Sequence, residues 1–86
     1  MVKEKIVFIT GVSRGIGKAL AEKFLKEDYV VIGTSTTGKS TIKSENFTIL
    51  KLDLSSTKSI EKCVQDFVTL KKKIDILINN AAIWSG

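Results

Sequence analysis

Residues 5–17 read Lys5-Ile6-Val7-Phe8-Ile9-Thr10-Gly11-Val12-Ser13-Arg14-Gly15-Ile16-Gly17. Lys5 to Thr10 is an apolar run rich in β-branched residues, which suits a strand buried on both faces. Gly11 ends that run. From Gly15 to Glu27 the spacing turns helical: Ile16, Leu20 and Phe24 recur every four residues, and Lys18, Glu22, Lys23 and Lys26 lie off that face. Glycines in the connection permit positive φ and close backbone approach. The helix N-terminus adds unpaired N–H groups and a partial positive charge. Strand, glycine loop and helix together form a seat for a pyrophosphate when another strand follows. The alternative is a tight strand–helix turn with no ligand.

The next strand does follow. Tyr29-Val30-Val31-Ile32 reads as buried and is closed by Gly33. Ser35 to Asn46 is polar and predicts a loop, with room for one helical turn. Phe47 to Leu52 is a third strand, ending at Asp53. Ser55, Ser56 and Thr57 offer N-cap hydroxyls, and Ile60, Cys63, Val64, Phe67 and Leu70 form one face of a second helix. Ile74 to Ile78 is a fourth strand leading into Asn79-Asn80-Ala81-Ala82. The order β-α-β-loop-β-α-β predicts an α/β domain with a parallel sheet and right-handed crossovers.

Composition narrows the function. A chain of 86 residues has room for one small domain, so 1–86 is expected to be a single unit. With no His and one Cys there is no disulfide framework, no expected metal site and no histidine acid–base chemistry. No apolar run approaches the roughly 18 residues of a membrane helix, and the run after Lys5 is too short for a signal peptide core. A soluble cytoplasmic protein is expected, with no membrane partner. The net charge of +5 raises nucleic acid as a partner. The lysines are scattered, however, and the densest run, Lys71-Lys72-Lys73, sits where cations complement a helix end. Aromatic residues do not interleave with the charges as a stacking platform requires, so no nucleic acid partner is expected. Of the fourteen cations only Arg14 is an arginine, and it lies in the glycine loop. Its planar fork suits a phosphate; a solvated loop cation is the alternative.

Three motifs in order now support a resemblance. Residues 10–17 match the pattern TGxxxGIG, Asp53-Leu54 follows the third strand, and Asp75-Ile76-Leu77-Ile78-Asn79-Asn80-Ala81 resembles a strand ending in NNAG. The chain resembles the N-terminal half of a short-chain dehydrogenase/reductase, along essentially its whole length. Val31 to Thr34 and Ser13 to Gly17 look most like the 3-oxoacyl-[acyl-carrier-protein] reductase members. The resemblance implies a Rossmann-type three-layer fold with strand order 3-2-1-4, truncated relative to a full member. It further implies that Gly11, Ser13, Arg14, Gly15, Ile16 and Gly17 line the cofactor. Asp53 and Leu54 would meet the adenine, with helix capping the alternative for Asp53. Asn79 would lie near the adenosine ribose, with a turn role as its alternative, and the backbone at Ala81 and Ala82 would run beneath the cofactor. Ala82 departs from the family's usual glycine.

No acid stands at the end of the second strand, where Gly33, Thr34, Ser35, Thr36 and Thr37 follow one another. NAD-preferring sites usually carry Asp or Glu there. Hydroxyls can donate to a 2′-phosphate and Arg14 can pair with it. By resemblance Ser13, Arg14 and Thr36 frame that phosphate, with Lys39 a further cation, so NADP(H) is expected over NAD(H). A competing pattern overlaps: residues 33–40 also fit the phosphate-loop form G-x-x-x-x-G-K-[ST]. That motif needs a helix starting at the lysine, and Thr41 to Asn46 leaves space for only about one and a half turns.

The family's chemistry uses a Ser and a Tyr-x-x-x-Lys. The single tyrosine, Tyr29, is followed four residues later by Gly33, so no catalytic residue is assigned within 1–86. Two expectations follow: part of an NADP-dependent enzyme acting on a carbonyl or alcohol, or a non-catalytic dinucleotide-binding module. Cys63 and Trp84 read as packing residues. With the fourth strand at the sheet edge, self-association through residues 74–79 is expected.

Overall fold

A computed structural model describes residues 4–81; Ala82 and Trp84 lie outside them. The elements are β1 (Ile6–Thr10), α1 (Gly15–Lys26), β2 (Val30–Ser35), β3 (Phe47–Lys51), α2 (Thr57–Leu70) and β4 (Ile76–Asn79). The four strands form one parallel sheet in the order β3-β2-β1-β4. Val7 pairs with Val31 on one side and Ile76 on the other, which fixes the central register. The expected Rossmann-type order is therefore present.

Alternation along the strands divides the core between two faces. Val7, Ile9 and Val31 pack with Val12 and with Ala21 of α1, and Leu20, Phe24 and Leu25 close over them. Ile6, Ile32 and Leu50 pack with Cys63 of α2, joined by Phe8, Phe67 and Leu70. Each face carries an edge-to-face aromatic pair, Phe24–Tyr29 at 5.0 Å and Phe8–Phe67 at 5.5 Å between centroids. Such a pair contributes about 0.5–1.5 kcal/mol beyond its buried area. At the opposite end from the glycine loop, the Ile6 amide donates to Asp75 Oδ2 (2.8 Å) and the Asp75 amide donates to the Ile6 carbonyl (2.9 Å). Asp75, expected only to begin a strand, thus ties β4 to β1.

The structure corrects two local expectations. Gly33 does not close β2, which continues to Ser35 and is fully buried from Val31 onward. The glycine is there because a Cβ would come within 2.5 Å of Val12 Cγ2, so Gly33 marks close packing rather than a strand end. On α1 the buried stripe is Gly17 and Ala21, with Leu20, Phe24 and Leu25 partly buried, whereas Ile16 is 73% exposed at the helix mouth. On α2 the expected face is present but only partly covered: Cys63 is buried, Phe67 and Leu70 are half-buried, and Ile60 and Val64 stay exposed on the same side. That helix lies over β3 and leaves the side towards β4 open. Phe8, Leu52, Leu54, Ile60, Val64 and Leu77 line an apolar cleft of about 250 Å³ there.

The connection from β2 to β3 contains no helix. Ser35 closes its first turn: Oγ accepts from the Lys39 amide (3.0 Å) and donates to the Lys39 carbonyl (2.9 Å), and Gly38 takes φ +75°. A phosphate loop needs its lysine amide free and a helix behind it. Here the amide is occupied and no helix follows. Beyond the turn, Ile42 packs on the α1 face of the core, and Phe47 and Ile49 of β3 stay half-buried.

Candidate cofactor site

The C-terminal ends of the parallel strands gather the glycine loop, Ser35-Thr36, Asp53 and Asn79 along one edge of the sheet, where ligands of open α/β sheets bind. Gly11 leaves β1 with φ +73°, a conformation costly for a residue with a Cβ. The buried Val12 anchors the loop into the α1 face. Ser13, Arg14, Gly15 and Ile16 are exposed, and Gly15 starts α1 with φ +62°. Gly17, one turn inside, is pressed against the loop: a Cβ there would lie 1.8 Å from the Gly11 carbonyl oxygen and 2.6 Å from Asn80 Nδ2.

A network of hydrogen bonds holds this geometry. Thr10 Oγ1 accepts from the amides of Asn80 (2.9 Å) and Ala81 (3.0 Å) and donates to Asn79 Oδ1 (3.0 Å). Asn80 Nδ2 donates to the Gly11 carbonyl (2.9 Å). From the other side, the Gly11 amide donates to Thr34 Oγ1 (3.1 Å) and the Val12 amide to the Thr34 carbonyl (2.8 Å). The loop is thus fixed between the ends of β2 and β4. Thr10 and Asn80 lie inside the quoted motifs and Thr34 among the hydroxyls that end β2, yet the sequence reading gave none of them a role at the site. Their signal is weak, because a hydroxyl at a strand end has many ordinary uses.

Arg14 is the N-cap of α1, and no side chain caps that helix. Its first amides therefore face the loop without a side-chain partner. Arg14 and Thr36 are both exposed, and neither side chain forms a hydrogen bond or ion pair among the described residues. The hydroxyls at the end of β2 divide into two sets. Thr34 and Ser35 are buried and turn their hydroxyls to the glycine loop and to Lys39, leaving Thr36 and Thr37 as the exposed hydroxyls.

Asp53 sits beyond β3. Its Oδ1 accepts from the Ser55 hydroxyl (2.6 Å) and the Ser55 amide (3.0 Å), and these bonds hold the carboxyl below its ordinary value. It does not cap α2; Ser56 does, accepting from the Ser59 amide at 3.2 Å. Leu54 is half-buried and lines the apolar cleft. Burial pushes the Cys63 thiol up, helped by nearby Asp66, which suits a packing residue rather than a nucleophile. Among the described residues no cluster of His, Cys, Asp and Glu could hold a metal, and no helix is long and apolar enough to cross a membrane.

A parallel 3-2-1-4 sheet whose first strand runs through a glycine loop into an uncapped helix defines a Rossmann-type domain. The chain belongs to the short-chain dehydrogenase family, whose model matches residues 5–86. A 3-oxoacyl-[acyl-carrier-protein] reductase of Buchnera aphidicola is 40% identical over 95% of the chain, which spans 36% of that protein's length. A short-chain dehydrogenase from Leptospira borgpetersenii, solved with bound NAD+, superposes with a TM-score of 0.79 at 31% identity, covering 94% of this chain and 32% of that one. The NADP-bound structure of ElxO superposes at 0.74 with 32% identity, over 94% of this chain and 36% of that one. The family binds NAD(P), and its members divide between the two cofactors.

Proposed function

We propose that residues 1–86 form one NADP(H)-binding half-domain of a short-chain oxidoreductase. The full-length enzyme would move a hydride between the nicotinamide C4 and the carbon of a carbonyl or alcohol, with a proton exchanged at the substrate oxygen. One observation carries the binding role: the uncapped N-terminus of α1 beneath a rigid glycine loop, with Arg14 exposed beside the acid-free end of β2. Gly11, Gly15, Ile16 and Gly17 shape the diphosphate seat. Ser13, Arg14 and Thr36 supply two hydroxyls and a cation to a 2′-phosphate. Asp53 and Leu54 flank the adenine, and Asn79 and Ala81 border the ribose side. Asp53 Oδ2 makes no hydrogen bond among the described residues and is available to an amine donor. No Tyr-x-x-x-Lys occurs in the chain, so binding is assigned to these residues and turnover is not. The single Cys63, held as a buried thiol, fits a reducing cytoplasmic compartment.

A fluorescence titration with NADPH and NADH is the test. NADPH is expected to bind more tightly. Equal or tighter NADH binding would reject the NADP(H) preference, and binding of neither would reject the site. Binding without turnover is expected of this chain on either reading, since it holds no Tyr-x-x-x-Lys. Self-association belongs to the same proposal. β4 is an edge of the described sheet and carries Leu77 at 65% exposure, and two such edges pair in a self-complementary way about a two-fold axis. Sedimentation should show a dimer that Leu77→Lys dissociates; a monomer at high concentration would refute it.

A further inference from the structure

We infer that Thr34 is a positioning residue that sets the shape of the glycine loop and thereby cofactor affinity, a role that rests on the proposed binding site. Thr34 lies at 1% exposure near the end of β2, too deep to touch a 2′-phosphate. It takes both amides at the start of the loop: Gly11 N on its hydroxyl and Val12 N on its carbonyl. The Gly11 peptide is then gripped on both sides, because its carbonyl accepts from Asn80 Nδ2 and abuts Gly17 in the first turn of α1. Any shift of Gly11 is therefore passed to the helix end that carries the free amides.

The Val12 bond uses backbone and survives substitution. The Gly11 bond does not. Thr34→Val keeps the branched shape and the strand preference but offers no acceptor, so the Gly11 amide is stranded in a partly buried place. The loop relieves this by moving towards water, and a cofactor must then force it back, which lowers affinity. The diphosphate is common to both nicotinamide cofactors, so NADPH and NADH are weakened alike. A change at Arg14 acts differently, since it touches the 2′-phosphate alone.

The experiment compares wild type, Thr34→Val and Thr34→Ser by NADPH and NADH titration, thermal melting and exchange of the Gly11 amide. Thr34→Val should bind both cofactors roughly tenfold more weakly with their ratio unchanged, and its Gly11 amide should exchange faster. Thr34→Ser restores the acceptor but removes a buried methyl; it should melt earlier yet bind like wild type. A merely structural residue would show the reverse, with affinity following melting temperature. Wild-type affinity in Thr34→Val, or equal loss in Thr34→Ser, would overturn the inference. If Thr34→Val does not fold, Thr34→Ala serves as the acceptor-free variant. Failure of wild type to bind either cofactor would instead overturn the site, and the positioning role with it.

Discussion

The two helices begin in similar settings and end up chemically opposite. Both follow a parallel strand and a short loop. At α2 the loop satisfies itself: Ser56 caps the Ser59 amide, the Ser59 hydroxyl accepts from the Asp53 amide at 2.8 Å, and Ser55 binds the Asp53 carboxylate. At α1 the loop bonds go sideways, to Thr34 and Asn80, and none goes to the helix end. A self-capped helix is stable by itself and has little to offer an anion. An uncapped one keeps donors in place at some expense in stability, and the neighbouring strands supply the rigidity that the missing cap does not.

The contrast makes predictions of graded size. The largest effect is expected for Gly17→Ala. Its methyl would collide with the Gly11 carbonyl backbone, which cannot swing aside. Overpacking of this kind costs about 3 kcal/mol, and cofactor binding should vanish together with a clear drop in melting temperature. Arg14→Ala comes next. Loss of a charge-assisted contact should weaken NADPH roughly tenfold to a hundredfold, leaving NADH and melting unchanged in parallel titrations.

Ser56→Ala probes the self-capped end. It should cost about 1 kcal/mol and lower the melting temperature by roughly 4–8 °C, with NADPH affinity intact. An affinity loss there would mean that the two helix ends are coupled. The smallest effect concerns Asp53 and acid. Ser55 holds this carboxyl below its ordinary 3.8, so the native state takes up its proton later than the unfolded chain. The contribution is therefore present above that value and is lost as pH falls through the lowered native one. Wild type and Asp53→Asn should differ slightly in denaturant midpoint at neutral pH and converge in acid.

Much of this arrangement is legible in the chain. The β-branched runs at Ile6–Thr10 and Phe47–Leu50 and the glycines between Gly11 and Gly17 specify strand, loop and helix through local preferences. Where reading by pattern failed, a non-local neighbour decided. Gly33 resembles a strand end until Val12 is seen packed on it. Ile16 fits a helical stripe by spacing, yet the helix turns Gly17 and Ala21 inward because only small residues fit beneath the loop and sheet. Thr34 resembles its exposed neighbours Thr36 and Thr37 in chemistry; burial beside Gly11 separates them.

Composition and order thus establish a parallel α/β chain with a glycine loop, since strand and helix periodicities and turn residues are properties of short windows. Folding together decides which amides are left free. Thr10, Thr34 and Asn80 lie at three different strand ends, and their side-chain bonds join residues 23 to 71 positions apart along the chain. Such bonds form only when the parallel register brings the C-terminal edges level, and no window of sequence contains that register.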